Sequence, residues 1–211
     1  MRPRLASAAI AVVTLIAAVV TTTLAAGGSP ARAAESEDSF ASRLFAGNLG
    51  KQAKSYACFV RVYDAAHLKQ HPLQKVGAMK LLLTAEQVPE DEALNYSFRL
   101  GVSFRHRPGD FDSSGDCGHI KASESEQGKT QLGCSVDCEG GGITVELARD
   151  DKSTLVRLDS IRIWRNNRPD EDGFPLSGGA DDRVFRLDRA SLDKCRSLVT
   201  DRQELAAMRR K

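Results

Sequence analysis

The sequence predicts a mainly β protein, an eight-stranded antiparallel up-and-down β-barrel followed by a C-terminal helix, with a β-sandwich as the alternative arrangement. Three observations carry this expectation. Leu94, Tyr96, Phe98, Leu100, Val102 and Phe104 alternate with Asn95, Ser97, Arg99, Gly101, Ser103 and Arg105, the period of a half-buried strand. Shorter runs of the same kind recur, separated by connectors rich in Gly, Ser, Asp and Pro. The period of two holds only between Cys58 and Leu187, with helical spacing on either side. Closing eight strands on themselves removes exposed edges and leaves room for side chains or one small ligand.

From the N-terminus, residues 1–33 read as a secretory signal peptide. Arg2 and Arg4 precede an uncharged stretch over 5–26, and Ala31-Arg32-Ala33 supplies the small residues that a signal peptidase reads. The competing reading is an uncleaved membrane anchor, since a helix of that length spans a bilayer core of about 30 Å. Its Ala and Thr content inserts poorly, which favours cleavage. Residues 34–55 carry Phe40, Leu44, Phe45 and Leu49 at loose helical spacing after an acidic start, and read as a flexible arm or short helix.

Strands are expected at 58–63, 76–84, 94–105, 119–123, 131–138, 143–148, 155–164 and 182–187, within a β domain of residues 56–188. The long third run is expected to bend at Gly101. Residues 189–211 read as one helix, with Asp188 or Ser191 as cap, Leu192, Cys195, Leu198 and Val199 on one face, and a basic end that suits a helix C-terminus.

Composition excludes several classes. The 211 residues are 41% hydrophobic and 27% charged, against both wholesale disorder and a polytopic membrane protein. Lys and Arg number 30 against 28 acids, and losing Arg2, Arg4 and Arg32 with the leader leaves 27, so nothing marks a nucleic-acid binder.

All five cysteines follow the leader, and an oxidising compartment favours disulfides over zinc or free thiols. If 131–138 is extended, Cys134 and Cys138 stand about 13 Å apart and cannot bridge. The favoured pairing is Cys117 with Cys134 and Cys138 with Cys195, leaving Cys58 unpaired.

Candidate chemistry is sparse. His67 and His71 are four apart, as a helical metal pair would be, but Pro72 is expected to turn His71 away. Asp110, Asp112 and Asp116 alternate before and after Gly115 as in the opening of a calcium loop, yet Lys121 occupies the position of the closing glutamate. No cofactor is assigned and no metal set, calcium keeping only this partial motif. Cys117, His119, Cys134 and Cys138 match zinc donors, for which disulfides compete. Asp137 and Glu139 precede Gly140-Gly141-Gly142, which suits a ligand-touching turn or an ordinary tight hairpin. Trp164, the single tryptophan, and Arg165 adjoin the longest connector; core packing competes as the role of Trp164. There is no Gly-x-Ser-x-Gly elbow and no catalytic residue is assigned.

Parity adds one inference. In an eight-stranded meander alternate connectors share an end, so 65–74, 107–116, 139–142 and 165–181 emerge together. The candidate ligand-binding residues at that end are His67, Asp110, Asp112, Asp116, Asp137, Glu139, Trp164 and Arg165.

The layout is similar to that of the calycins. Tyr63-Asp64-Ala65-Ala66-His67-Leu68, Cys134-Ser135-Val136-Asp137-Cys138-Glu139-Gly140-Gly141-Gly142 and Ala180-Asp181-Asp182-Arg183-Val184-Phe185-Arg186-Leu187-Asp188 resemble strings of an uncharacterised family of exported proteobacterial proteins. The resemblance covers residues 56–196 and implies a periplasmic setting without any catalytic residue. The expected function is a periplasmic or secreted module binding a small molecule or an envelope protein, with no nucleic acid and no membrane contact beyond an uncleaved leader. An envelope structural or inhibitor-like protein and a metal-dependent hydrolase are the alternatives.

Overall fold

The computed structural model describes residues 35–50, 53–88, 94–166 and 172–209. The expected signal peptide lies outside them, as do Arg210 and Lys211. Among the described residues nine strands form: β1 (Lys54–Val62), β2 (Val76–Gln87), β3 (Leu94–Phe104), β4 (Asp110–Ile120), β5 (Gln131–Ser135), β6 (Gly141–Leu147), β7 (Ser153–Arg165), β8 (Phe174–Ser177) and β9 (Val184–Ala190). Each of β1 to β7 pairs antiparallel with the next, β9 pairs with both β7 and β1, and the sheet closes in a ring. The strand β8 stands outside this circuit, on β7. The ring is thus the expected meander of eight, plus one short strand inside the connector read as irregular.

The expected connector at 109–116 is instead the first half of β4. Its inward positions are small: Ser113 donates its hydroxyl to the Arg162 carbonyl at 2.8 Å. A Cβ on Gly115 would sit 2.0 Å from the Ser135 carbonyl oxygen and 3.1 Å from the Phe98 ring. Close approach of backbones, not turn formation, selects Gly and Ser here. The hairpin of β5 and β6 is short, and beyond it β4 pairs directly with β7 through Phe111 with Arg165 and Asp112 with Trp164. Skipping two strands at one end shortens the circuit there by about 10 Å at the usual strand spacing.

Inward residues of the ring, among them Phe59, Leu81, Leu83, Phe98, Leu100, Val156, Leu158 and Phe185, make one continuous buried core. Of the two readings of the N-terminal segment, the short helix forms, as α1 (Glu37–Leu44), and closes one end. Ser36 caps it by accepting from the Ser39 amide, and Phe40, Leu44 and Phe45 are buried in the same core. Polar contacts pin it to the neighbouring connectors. The Thr130 hydroxyl donates to the Glu35 carbonyl at 2.6 Å, and Arg43 donates to Asp151 at 2.8 Å and to the Ala148 carbonyl at 3.0 Å. Arg189 of β9 lies over the Phe59 ring and donates to the Leu44 and Arg43 carbonyls, a cation at the helix C-terminus.

The expected single C-terminal helix is two short pieces. A 3-10 turn, Leu192–Leu198, ends at the extended Val199, and α2 and α3 complete the helices as Ala65–Gln70 and Arg202–Arg209. The 3-10 turn and α3 cover the outer face of β1 and β2, burying Tyr56, Cys58, Leu82, Cys195, Val199 and Met208 as a second apolar cluster. Arg99 holds α3 through two hydrogen bonds of 2.9 Å to Glu204.

Cys117 and Cys134 face each other across β4 and β5 and are bridged. The second bridge joins Cys58 to Cys195, and Cys138, not Cys58, is the free and exposed thiol. The expected Cys138 to Cys195 bridge fails because β5 ends at Ser135. Cys138 then sits at the turn, while Cys195 is pressed against β1.

Candidate functional site

The end of the ring opposite α1 is built by the last inward residue of β3, the first of β4 and the start of β8. Phe104, Phe111 and Phe174 meet there with ring centroids 5.3 Å apart for Phe104 with Phe111 and for Phe111 with Phe174, both edge-on. Arg107, in the connector between β3 and β4, lays its guanidinium over these rings, 3.9 Å from the Phe174 centroid and 4.8 Å from that of Phe111.

Connectors from three parts of the chain are locked around this cluster. Asp182, buried, accepts from the Lys75 and Val76 amides at 2.8 and 3.3 Å, and Asp181 accepts from the Leu73 amide at 3.0 Å. Arg105 donates to the Gln74 carbonyl at 3.2 Å. The buried Gln74 side chain donates to the Val76 carbonyl at 2.7 Å and meets His67 Nε2 at 3.0 Å. Between them lies a recess of about 370 Å³ bounded by Leu73, Lys75, Phe104, His106, Arg107 and Phe174. Leu73 is 63% exposed at its rim. On the far side of Arg107 a smaller recess of about 270 Å³ includes Arg165 and Asp172.

The expected site residues divide. His67 supports this end through Gln74, with its ring 4.7 Å from the Tyr63 ring and stacked on His71 at 4.3 Å. Pro72 therefore does not turn His71 away: His71 leaves the helix at φ −119° and ψ 72°, and this lays its ring on that of His67. Burial pushes the Tyr63 hydroxyl up to about 12. Asp110 accepts from the Ser103 hydroxyl at 2.6 Å at the start of β4, and Arg165 borders the smaller recess. Asp112 lies on the outer face beside Gly101 and Trp164, and burial raises its pKa. Trp164 is half-buried on the same face against Gly173, not in the core.

Asp116, Asp137 and Glu139 are exposed and do not join the others. Asp110, Asp112 and Asp116 are spread along a strand, where they cannot wrap a cation as a loop would. Among the described residues no three His, Cys, Asp or Glu side chains form a metal-binding group. The turn at 137–140 shares the parity of the long connectors, but β5 and β6 stop short, and its Gly140 carbonyl accepts from the Arg162 amide partway along β7. Gly141, at φ +73°, has no room for a Cβ against Ser160 at the β7 bulge, so the tight hairpin itself requires glycine there.

That hairpin also borders a recess of about 980 Å³ on the outer face of β5 to β7. Its arginines already have carboxylate partners, Arg157 with Glu146 and Arg183 with Asp159. At the narrow end the informative residues were Leu73, Lys75, Phe104, His106, Arg107 and Phe174, none of them singled out from sequence. The available signal was the phenylalanine closing the alternating run directly before Arg105-His106-Arg107.

No family model, curated protein or solved structure matches the chain. The fold and the recess therefore stand on their own geometry: a β-rich ring with two disulfides, and no described helix long and apolar enough to cross a membrane.

Proposed function

We propose that this chain is an exported binding module that holds its ligand at the narrow end of the ring, in the recess under Arg107. Arg107 carries the reading. Its guanidinium is stacked on Phe174 and Phe111 at the meeting point of three locked connectors and, among the described residues, has no carboxylate or carbonyl partner. A preformed recess of this size, part apolar and part charged, on connectors fixed by buried polar contacts, is how small-ligand sites are built. The core fills the inside of the ring, so the mouth rather than the lumen is the place for a ligand. The reading requires no metal or cofactor.

Export to the periplasm or the medium is supported by the leader-like first 33 residues and by the two disulfides. Amide shift mapping of the processed protein against a fragment library tests the site. Shifts are expected to cluster at 73–75, 104–107, 174 and 176–177, and a cluster elsewhere would displace the reading. Expression with the leader in a bacterial host is expected to yield an extracytoplasmic protein beginning at Ala34.

A further inference from the structure

The chemistry around the recess goes further than the presence of a site. We infer that it selects a small organic anion, an apolar body bearing one carboxylate, sulfonate or phosphate group; this rests on reading the recess as the binding site. Among the described residues the titratable side chains that line it are Lys75, His106 and Arg107, and no described Asp or Glu does. None of the three makes a side-chain hydrogen bond or ion pair among the described residues. Elsewhere Arg43, Arg61 and Arg99 all end on carboxylates.

Asp181 and Asp182 turn to the amides of Leu73, Lys75 and Val76, and Asp172 lines the adjoining recess, which Arg107 also borders, without a hydrogen bond or ion pair to it. A guanidinium stacked flat on aromatic rings keeps its N–H groups at its edge, positioned for two parallel bonds to an oxyanion. Phe174 and Leu73 supply apolar surface for the rest of the ligand. An anion here meets the Lys75 and Arg107 side chains directly, which no carboxylate among the described residues does. An uncharged molecule of the same shape gains only the apolar contact.

The test uses two probes with one ring system, anilinonaphthalene sulfonate and the uncharged N-phenyl-1-naphthylamine, titrated into the processed protein with amide shifts reporting the location. The sulfonate is expected to bind once, at the recess, about tenfold or more tighter than the amine, the value of one charge-assisted pair. Arg107→Ala, at an exposed position, is expected to remove that advantage and leave the amine within about twofold, and Lys75→Met to remove part of it. Equal affinities at the recess, unchanged in R107A, would overturn the anion inference and leave the site standing. Failure of both probes to shift the recess amides would remove the site and the inference together.

Discussion

His119 projects into the ring between two aromatic side chains, 5.9 Å from the Phe40 ring and 4.8 Å from that of Tyr96, edge-on to both. Its Nδ1 is buried without a partner, and burial lowers its pKa below the usual 6.5. The unfolded chain therefore binds a proton that the folded one refuses. Stability is full above pH 6.5, declines as the pH falls below it, and stops declining once the pH is under the folded value. Thermal melts of His119→Phe between pH 7 and 5 are expected to lose most of this decline. Arg189 is a second inward polar group, and it satisfies the carbonyls of Arg43, Leu44 and Asp151. Arg189→Met leaves those acceptors unmet, at a cost of about 2–4 kcal/mol in urea denaturation. Neither role was legible beforehand, because nothing in the local sequence says that a histidine in β4 or an arginine in β9 faces inward. Arg107 escaped notice for a related reason: its partners are rings contributed by two other strands, 4 and 67 residues away in the chain.

Among the elements, the C-terminal segment depends most on covalent help. Its apolar contact with β1 and β2 is small, and the Cys58 to Cys195 bridge closes a separation of 137 residues. Replacing both cysteines by serine is expected to cost about 2–5 kcal/mol, with protease cleavage appearing first between Ser191 and Met208. Cys138→Ser should leave stability unchanged, and alkylation of the native protein followed by non-reducing peptide mapping should label Cys138 alone. The strand β3 was legible because its inward residues Phe98, Leu100 and Val102 are apolar, whereas β4 carries Ser113 and Gly115 at the matching positions. Turn-forming composition there reflects a crowded interior, which alternation of hydrophobicity does not encode. The C-terminal pattern was helical in period, but the period does not distinguish one helix from a 3-10 turn, an extended residue and a second helix.

For the molecule as a whole, the ring closes on itself and is stoppered by α1, so the core and its plug should melt together. Phe40, Leu44 and Phe45 are each fully buried, at about 1.5–3 kcal/mol per side chain, a sum comparable to the stability of an ordinary domain. A chain lacking residues 34–50 is expected to lose the dispersed amide spectrum of the folded protein rather than to melt a few degrees earlier. The strand count of the ring, the antiparallel order and the shared end of the long connectors followed from alternation and parity. The direct contact of β4 with β7 did not, since it depends on where a hairpin stops. That stopping point has an outcome of its own. The sheet tapers, wide at the base where the plug sits and narrow at the rim where Arg107 sits, and a single hairpin sets the gauge of the rim. Adding residue pairs to β5 and β6 would widen the rim and leave the base untouched, so rim width and fold stability are adjustable by separate stretches of the chain.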